Sequence, residues 1–263
     1  MDESIILKRD GEVAVILLNR PACFNALDME AGGRLADHLI TLGADDDIRA
    51  VVLSGQGKAF SAGGDIEWML GFPQGPSAAV HELAVRFHQA AIEIRRMPKP
   101  VIAAVNGLAA AGGLSAALAC DFRVMSESAV LRQAYTSNGL TLDGGATFTL
   151  PRLVGWARAL EIVAFDKPIS AEQALAWGLA TKVVKDGTAL DEALNMAHEL
   201  AKKSVHAFGW SKRLINDSFN TPFETQVERE RASLCRCIDS PDGREGTRAF
   251  MEKRKPVCPG RQP

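Results

Sequence analysis

The chain has 263 residues, with 30 Lys and Arg against 32 Asp and Glu, a formal net charge of −2 and 47% hydrophobic residues. That balance excludes a polybasic nucleic-acid binder and a basic membrane-surface helix, and the length suits one large domain or one domain with a helical appendage. Five cysteines (Cys23, Cys120, Cys235, Cys237 and Cys258) lack metal-ligand spacing and are odd in number, which points to free thiols in a reducing, cytoplasmic setting.

The first ten residues, MDESIILKRD, carry acids around an apolar run too short for a signal peptide. Val13 to Leu18 predicts a strand, ended by Asn19-Arg20-Pro21. Asp28 caps a helix running to about Leu42. Asp45-Asp46-Asp47 is a turn, and Ala50 to Leu53 the next strand. A glycine pair follows in Ala62-Gly63-Gly64-Asp65-Ile66. Gly71 to Ser77 reads as a mobile loop. Ser77 is expected to cap a helix with Leu83, Phe87, Ala91 and Ile94 on one face. Val101 to Val105 and Phe122 to Met125 read as short strands. Gly139 to Pro151, with the pair Gly144-Gly145, reads as a loop. Gly155 to Phe165 is a helix, and Ser170 with Gln173 forms a capping box for another that Gly178 stops. Thr188 to about Lys203 is helical. The tail from Ala207 to Arg254 is helical too, with Trp210, Phe219, Phe223 and Leu234 available for packing. A loose recurrence of strand–strand–helix units runs through the first part.

The stretch Val101 to Asp121 passes about twenty residues without a charge. Its glycines and alanines make a poor membrane span. A strand that delivers Gly112-Gly113 to a helix start leaves backbone N–H groups unpaired, where an anion or developing oxyanion binds well. Tight helix packing asks for the same small residues, so both readings stand on this stretch. The pair at 63–64 is the second of its kind, and two such turns can aim two N–H donors at one oxygen. The phosphate-loop and dinucleotide fingerprints are absent, as are a nucleophile elbow and a His-rich metal pattern.

The segments NRP…NAL (19–27), VVLSGQGKAFSAGGD (51–65), KPVIAAVNGLAAAGG (99–113), ALACDFRV (117–124) and GLTLDGGATFTLPRLVG (139–155) resemble, in this order, the enoyl-CoA hydratase/isomerase, or crotonase, superfamily. The resemblance implies an α/β fold, a spiral of ββα units over residues 1–200, with a helical trimerisation region over 201–263. It implies a homotrimer or dimer of trimers. It implies an acyl-CoA thioester as substrate, with coenzyme A entering only as part of that substrate and no separate cofactor, metal, nucleic acid or membrane partner. The family's oxyanion donors fall on the N–H groups of Gly64 and Gly112. Ala62, Gly63, Asp65 and Ile66 fall on the loop that contacts coenzyme A. Trp68, Met69 and Leu70 follow it and are candidates for the acyl pocket.

Hydratases of this family carry two glutamates where this chain has Ser115 and Tyr135, and neither residue replaces a carboxylate base. Asp143, in Leu142-Asp143-Gly144-Gly145, is the acid that remains. Isomerases of the family place an acid at or near this point, and isomerisation needs one base. The plainer alternative is a helix N-cap before Gly144. Aroyl-CoA dehalogenases of the superfamily use an aspartate at this place with a histidine where His88 lies. His88 itself reads as a packed or solvated imidazole on an amphipathic helix. The expected activity is therefore an acyl-CoA isomerase, of the enoyl double-bond or ring-epoxide type. A hydratase, a dehalogenase and a non-catalytic acyl-CoA-binding oligomer are the alternatives.

Overall fold

The computed structural model describes residues 3–258. In chain order the strands are β1 (Ile5–Asp10), β2 (Val13–Leu18), β3 (Ala50–Gly55), β4 (Ala59–Ser61), β5 (Val101–Val105), β6 (Leu108–Ala110), β7 (Phe122–Ser126), β8 (Val130–Arg132), β9 (Ile169–Ser170) and β10 (Lys182–Val184). The helices are α1 (Met29–Ala44), α2 (Ile66–Leu70), α3 (Pro76–Arg96), α4 (Gly112–Ala119), α5 (Ala146–Val154), α6 (Trp156–Phe165), α7 (Ala171–Ala176), α8 (Ala189–Ala201), α9 (Val205–Ser218), α10 (Phe223–Asp239) and α11 (Pro241–Met251).

The strands form two sheets. The larger is ordered β1-β2-β3-β5-β7-β10 and the smaller β4-β6-β8-β9. Three successive units, β3–β4, β5–β6 and β7–β8, each give their first strand to the large sheet and their second to the small one. Within each sheet these strands pair parallel, with Val51 opposite Val101 and Ile102 opposite Phe122 in the large sheet and Ala110 opposite Arg132 in the small one. This is a spiral of ββα turns. The isolated bridge and strand ends of the small sheet are what carry the glycine pairs.

Strands β2 and β5 are apolar throughout, and β3 is apolar from Ala50 to Leu53, because both faces are covered, which is why they are legible as continuous runs. One face packs Ala14, Ile16, Leu53 and Val105 against Leu35, Leu39, Leu83 and Ile94 of α1 and α3. The other packs Val13, Val15, Val52 and Ile102 against α8. Ala189, Ala193 and Ala197 form the deeply buried stripe of α8, while Leu190, Leu194 and Leu200 flank it. Small side chains at four-residue spacing let this helix lie close to the sheet.

Several boundaries differ from expectation. β1 pairs antiparallel with β2 through a tight turn at Gly11. The two- and three-residue strands of the small sheet carry too little pattern to be read from sequence. Helix α3 starts at Pro76 with Gly75 (φ 89°) as its N-cap, so Ser77 lies in the first turn and does not cap. The loop expected over 139–151 becomes α5 at Ala146, and Gly155 (φ 79°) separates α5 from α6. The capping box of Ser170 and Gln173 forms with both bonds present. From Val205 onward the described residues contain only helices and connections. No helix among the described residues is long and apolar enough to cross a membrane. Residues 1–2 and 259–263, which the two expected segments include, lie outside the described residues.

Candidate active site

The first glycine pair follows β4. Gly63 takes φ 92°, and Gly64 makes a parallel bridge with Leu27. In that bridge Leu27 N–H donates to the Gly63 carbonyl at 2.7 Å and Asp65 N–H donates to the Leu27 carbonyl at 2.9 Å. The Gly64 N–H therefore points away from Leu27 and has no acceptor among the described residues. The second pair follows β6. Ala111 takes φ 47° and ψ −121°, a conformation costly for a residue with a Cβ, and it turns the chain into α4 at Gly112. The Gly112 N–H is a first-turn donor that no intrahelical carbonyl can reach.

The two turns touch back to back. A Cβ on Gly63 would lie 2.7 Å from the Gly112 nitrogen and 2.8 Å from the Ala111 Cβ. A Cβ on Gly113 would lie 2.2 Å from the Ser61 carbonyl oxygen. Glycine here holds two unpaired N–H groups on adjoining segments, an arrangement suited to an oxygen that gains charge.

Both donors face a cavity of about 350 Å³ whose wall includes Leu27, Ala62, Met69, Leu83, Phe87, Tyr135, Leu142 and Asp143. The wall is largely apolar, and Asp143 is its carboxylate. Ile66 lines the mouth and is exposed. Asp65 does not line the cavity. Its carboxylate caps α2 through Trp68 N–H at 3.1 Å and pairs with Arg20 at 2.9 Å, which also binds Asp28 at 3.0 Å. Of the three candidates after Ile66, only Met69 reaches the wall. Trp68 packs on Phe72, and Leu70 is exposed.

Asp143 lies just before α5, but the N-cap of that helix is Gly145, and no backbone N–H among the described residues donates to the Asp143 carboxylate. The capping alternative fails on this point. Asp143 Oδ1 instead lies 2.6 Å from Nε2 of His88 on α3. His88 is partly solvated, as expected, with its side chain 47% exposed, and it also pairs with Asp143. The contact exists because Gly144 (φ 61°) presses the segment onto α3 and α4; a Cβ there would lie 2.3 Å from the Phe87 ring and 2.9 Å from the Ser115 Cβ.

Ser115 is buried, and its hydroxyl donates to the Asp143 carbonyl at 2.7 Å. Tyr135 completes the cluster. Burial pushes its phenol up to about 12, against contacts with the Ser115 side chain and the Asp143 backbone, while the Asp143 charge adds to the rise. The two positions that could have carried carboxylates thus hold a neutral serine and a neutral tyrosine. Tyr135 is the single tyrosine of the chain, so tyrosinate absorbance reports it alone. In the folded protein the neutral phenol should persist above pH 10 and ionise near 12, with the midpoint returning to about 10 on unfolding. A folded-state midpoint near 10 would contradict its burial beside Asp143.

Three contributors were missed from sequence. Leu83 and Phe87 look like core positions and form cavity wall. Asn25, buried with φ 57°, bonds Arg20 N–H at 2.9 Å and the Gln56 and Ala59 carbonyls at 2.9 and 2.8 Å, tying the first loop under the glycine turn. A polar residue at positive φ inside an otherwise apolar neighbourhood is the only signal, and φ is not legible in sequence.

Two sheets wound from ββα turns, with paired glycine N–H donors over an apolar cavity, define a protein of the crotonase fold. The chain matches the enoyl-CoA hydratase/isomerase family over residues 8–261 and belongs to that family. It is 36% identical over 262 residues to 1,2-epoxyphenylacetyl-CoA isomerase of Escherichia coli (strain K12), covering 99% of this chain and 100% of that one. It is 30% identical over 256 residues to 4-chlorobenzoyl coenzyme A dehalogenase-2 of an Arthrobacter species, covering 96% and 92%. The crystal structure of an enoyl-CoA hydratase from Bacillus anthracis superposes with a TM-score of 0.91 at 32% identity, covering 98% of this chain and 100% of that one. Relatives of three activities therefore stand at similar distance.

Proposed function

We propose that this protein is an acyl-CoA isomerase in which Asp143 is the sole base and the N–H groups of Gly64 and Gly112 bind the thioester oxygen. The observation that carries this is a single carboxylate on the wall that also holds both donors, with Ser115 and Tyr135 where a hydratase needs acids. Asp143 removes a proton from C2. The thioester carbonyl becomes an enolate oxygen held by the two N–H groups. The proton is then delivered at C4 of an enoyl chain, so one base serves both halves. Asp143 Oδ2 carries no hydrogen bond among the described residues and is the oxygen available to the substrate. Ala62 and Ile66 lie at the cavity and suit contact with the coenzyme A part. Asp65 serves that loop indirectly, through its cap and Arg20.

The test is a panel. Incubation with a 3-enoyl-CoA should raise the absorbance of the conjugated thioester, while hydration of a 2-enoyl-CoA should be slow. A second reading is favoured by the short His88–Asp143 contact: an aspartate nucleophile displacing chloride from an aroyl-CoA, as in the family's dehalogenases. Chloride release from 4-chlorobenzoyl-CoA without isomerisation would move the assignment there. Efficient hydration would reject the single-base account, and binding of acyl-CoA without turnover would support a non-catalytic role.

We also propose a homotrimer or dimer of trimers, built on the helices after residue 200. Phe219, Phe223, Leu234, Phe250 and Met251 stand exposed there, a set that a solitary chain leaves in water. Trp210 is not part of this face: it lies under Arg236, whose guanidinium is 5.0 Å from the ring centroid. Light scattering at micromolar protein should give at least three chains per particle. A monomer mass would contradict the assembly.

A further inference from the structure

Asp143 stands between two cavities. Its front faces the oxyanion cavity. Its back faces a second one of about 420 Å³, whose wall includes His88, Ile92, Arg95, Asp143 and Phe148. His88 lines only the second. On α3 it lies four residues after Ala84, which touches the first cavity, and four before Ile92, which touches the second. Its Nε2 meets Asp143 Oδ1 at 2.6 Å, while Nδ1 has no hydrogen-bond partner among the described residues. The His88 side chain is 47% exposed. A thioester in the oxyanion cavity covers the front of Asp143 and leaves Oδ1, which His88 meets, on the side of the second cavity, where both side chains are partly exposed.

We infer that His88 is a proton relay linking Asp143 to solvent through the second cavity, an inference that rests on the isomerase reading above. With the Nε2–H tautomer donating to the Asp143 carboxylate, Oδ2 takes the proton from C2 and the carboxyl becomes neutral. The substrate's electron pair moves into the thioester enolate. The carboxyl can return that same proton to C4. Alternatively, the half-exposed imidazole passes through water to its Nδ1–H tautomer and accepts the carboxyl proton at Nε2, giving carboxylate and imidazolium; the imidazolium exchanges that proton with water and returns a solvent proton to the carboxylate. Each exchange leaves acid, imidazole and water unchanged in number and charge, and no electron is transferred. The function of His88 is to decide whether the proton that reaches C4 comes from the substrate or from water. It is a positioning and relay residue, because it touches the base and not the substrate.

The experiment is isomerisation of a 3-enoyl-CoA in D2O, with deuterium at C4 of the product read by mass spectrometry. A second arm measures deuterium entry at C2 of phenylacetyl-CoA, which needs enolate formation but no isomerisation. The wild type should place deuterium in both. His88→Gln keeps an N–H donor to Asp143 but cannot relay, so its product should retain substrate hydrogen and its C2 exchange should fall about tenfold or more, further than its turnover falls. If His88→Gln is too slow to assay, His88→Ala with added imidazole should regain deuterium entry. Wild-type deuterium content in the His88→Gln product overturns the relay. So does a wild-type product free of deuterium, or a His88→Ala protein that imidazole does not restore. Exchange into phenylacetyl-CoA without isomerisation would reject the isomerase reading yet leave the relay to be decided by the C2 arm. Exchange that survives Asp143→Asn would reject Asp143 as the base, and the relay with it.

Discussion

Asp143→Asn should reduce isomerase turnover by at least about 10²–10⁴-fold, the usual worth of general acid–base help, and by more if no other base substitutes. The fold should not change. The contacts that hold the segment run through the backbone carbonyl of residue 143, which accepts from Ser115 Oγ at 2.7 Å and from Ala146 N–H at 3.2 Å. Asparagine keeps both, and its side chain can still meet His88. Thioester binding should persist, because the N–H donors of Gly64 and Gly112 are untouched. A loss confined to turnover is what removal of an interaction made in the transition state looks like. Calorimetric titration with an acyl-CoA, beside the absorbance assay, separates the two. Equal turnover in both proteins would remove Asp143 from the mechanism.

The second large effect concerns stability. Lys212→Met should cost about 3–5 kcal/mol, because it strips a buried ion pair of one partner. Lys212 on α9 is buried, and its Nζ donates to Asp121 Oδ2 at 2.7 Å and to the Ile94 carbonyl at 2.8 Å. Asp121 Oδ2 also accepts from Val101 N–H at 2.8 Å, at the start of β5. Burial pushes the Asp121 carboxyl up against the pull of the neighbouring ammonium, and pushes Lys212 down against the pull of the carboxylate. Each charge is tolerated only because the other is there. The pair fastens α9 to the start of β5, the strand before β6, which leads into Gly112. A urea midpoint reads the loss, and Asp121→Asn added to Lys212→Met should recover part of it, since the stranded charge is then gone. A loss below about 1 kcal/mol would mark the pair as solvated.

Much of this arrangement was legible because it follows from local rules. β2, β5 and the Ala50–Leu53 part of β3 are covered on both faces and so read as unbroken apolar runs. Ser170 and Gln173 sit three apart and cap one another. The glycine turns at 63–64 and 112–113 advertise a backbone approached closely, and a Cβ on Gly63 would lie only 2.7 Å from the Gly112 nitrogen. The rest depends on distance in sequence or on φ. His88 meets Asp143 across 55 positions, through a turn that only Gly144 allows. Asp65 looked like a ligand contact because nothing in its neighbours reveals Arg20 arriving from 45 residues away. The small sheet went unseen because β4, β6 and β8 owe their conformation to parallel neighbours and not to their own three residues. The capping reading of Asp143 failed for a related reason: the helix after it starts two residues later than the aspartate could reach.

The central claim is geometric, and a crystal structure with a bound, non-isomerising acyl-CoA tests it most directly. The thioester oxygen should lie about 3 Å from both the Gly64 and Gly112 nitrogens, with Asp143 Oδ2 beside C2 and on the side from which C4 is also reached. A thioester oxygen bound away from these two N–H groups, or an Asp143 carboxylate turned wholly into the second cavity and out of reach of C2, would contradict it.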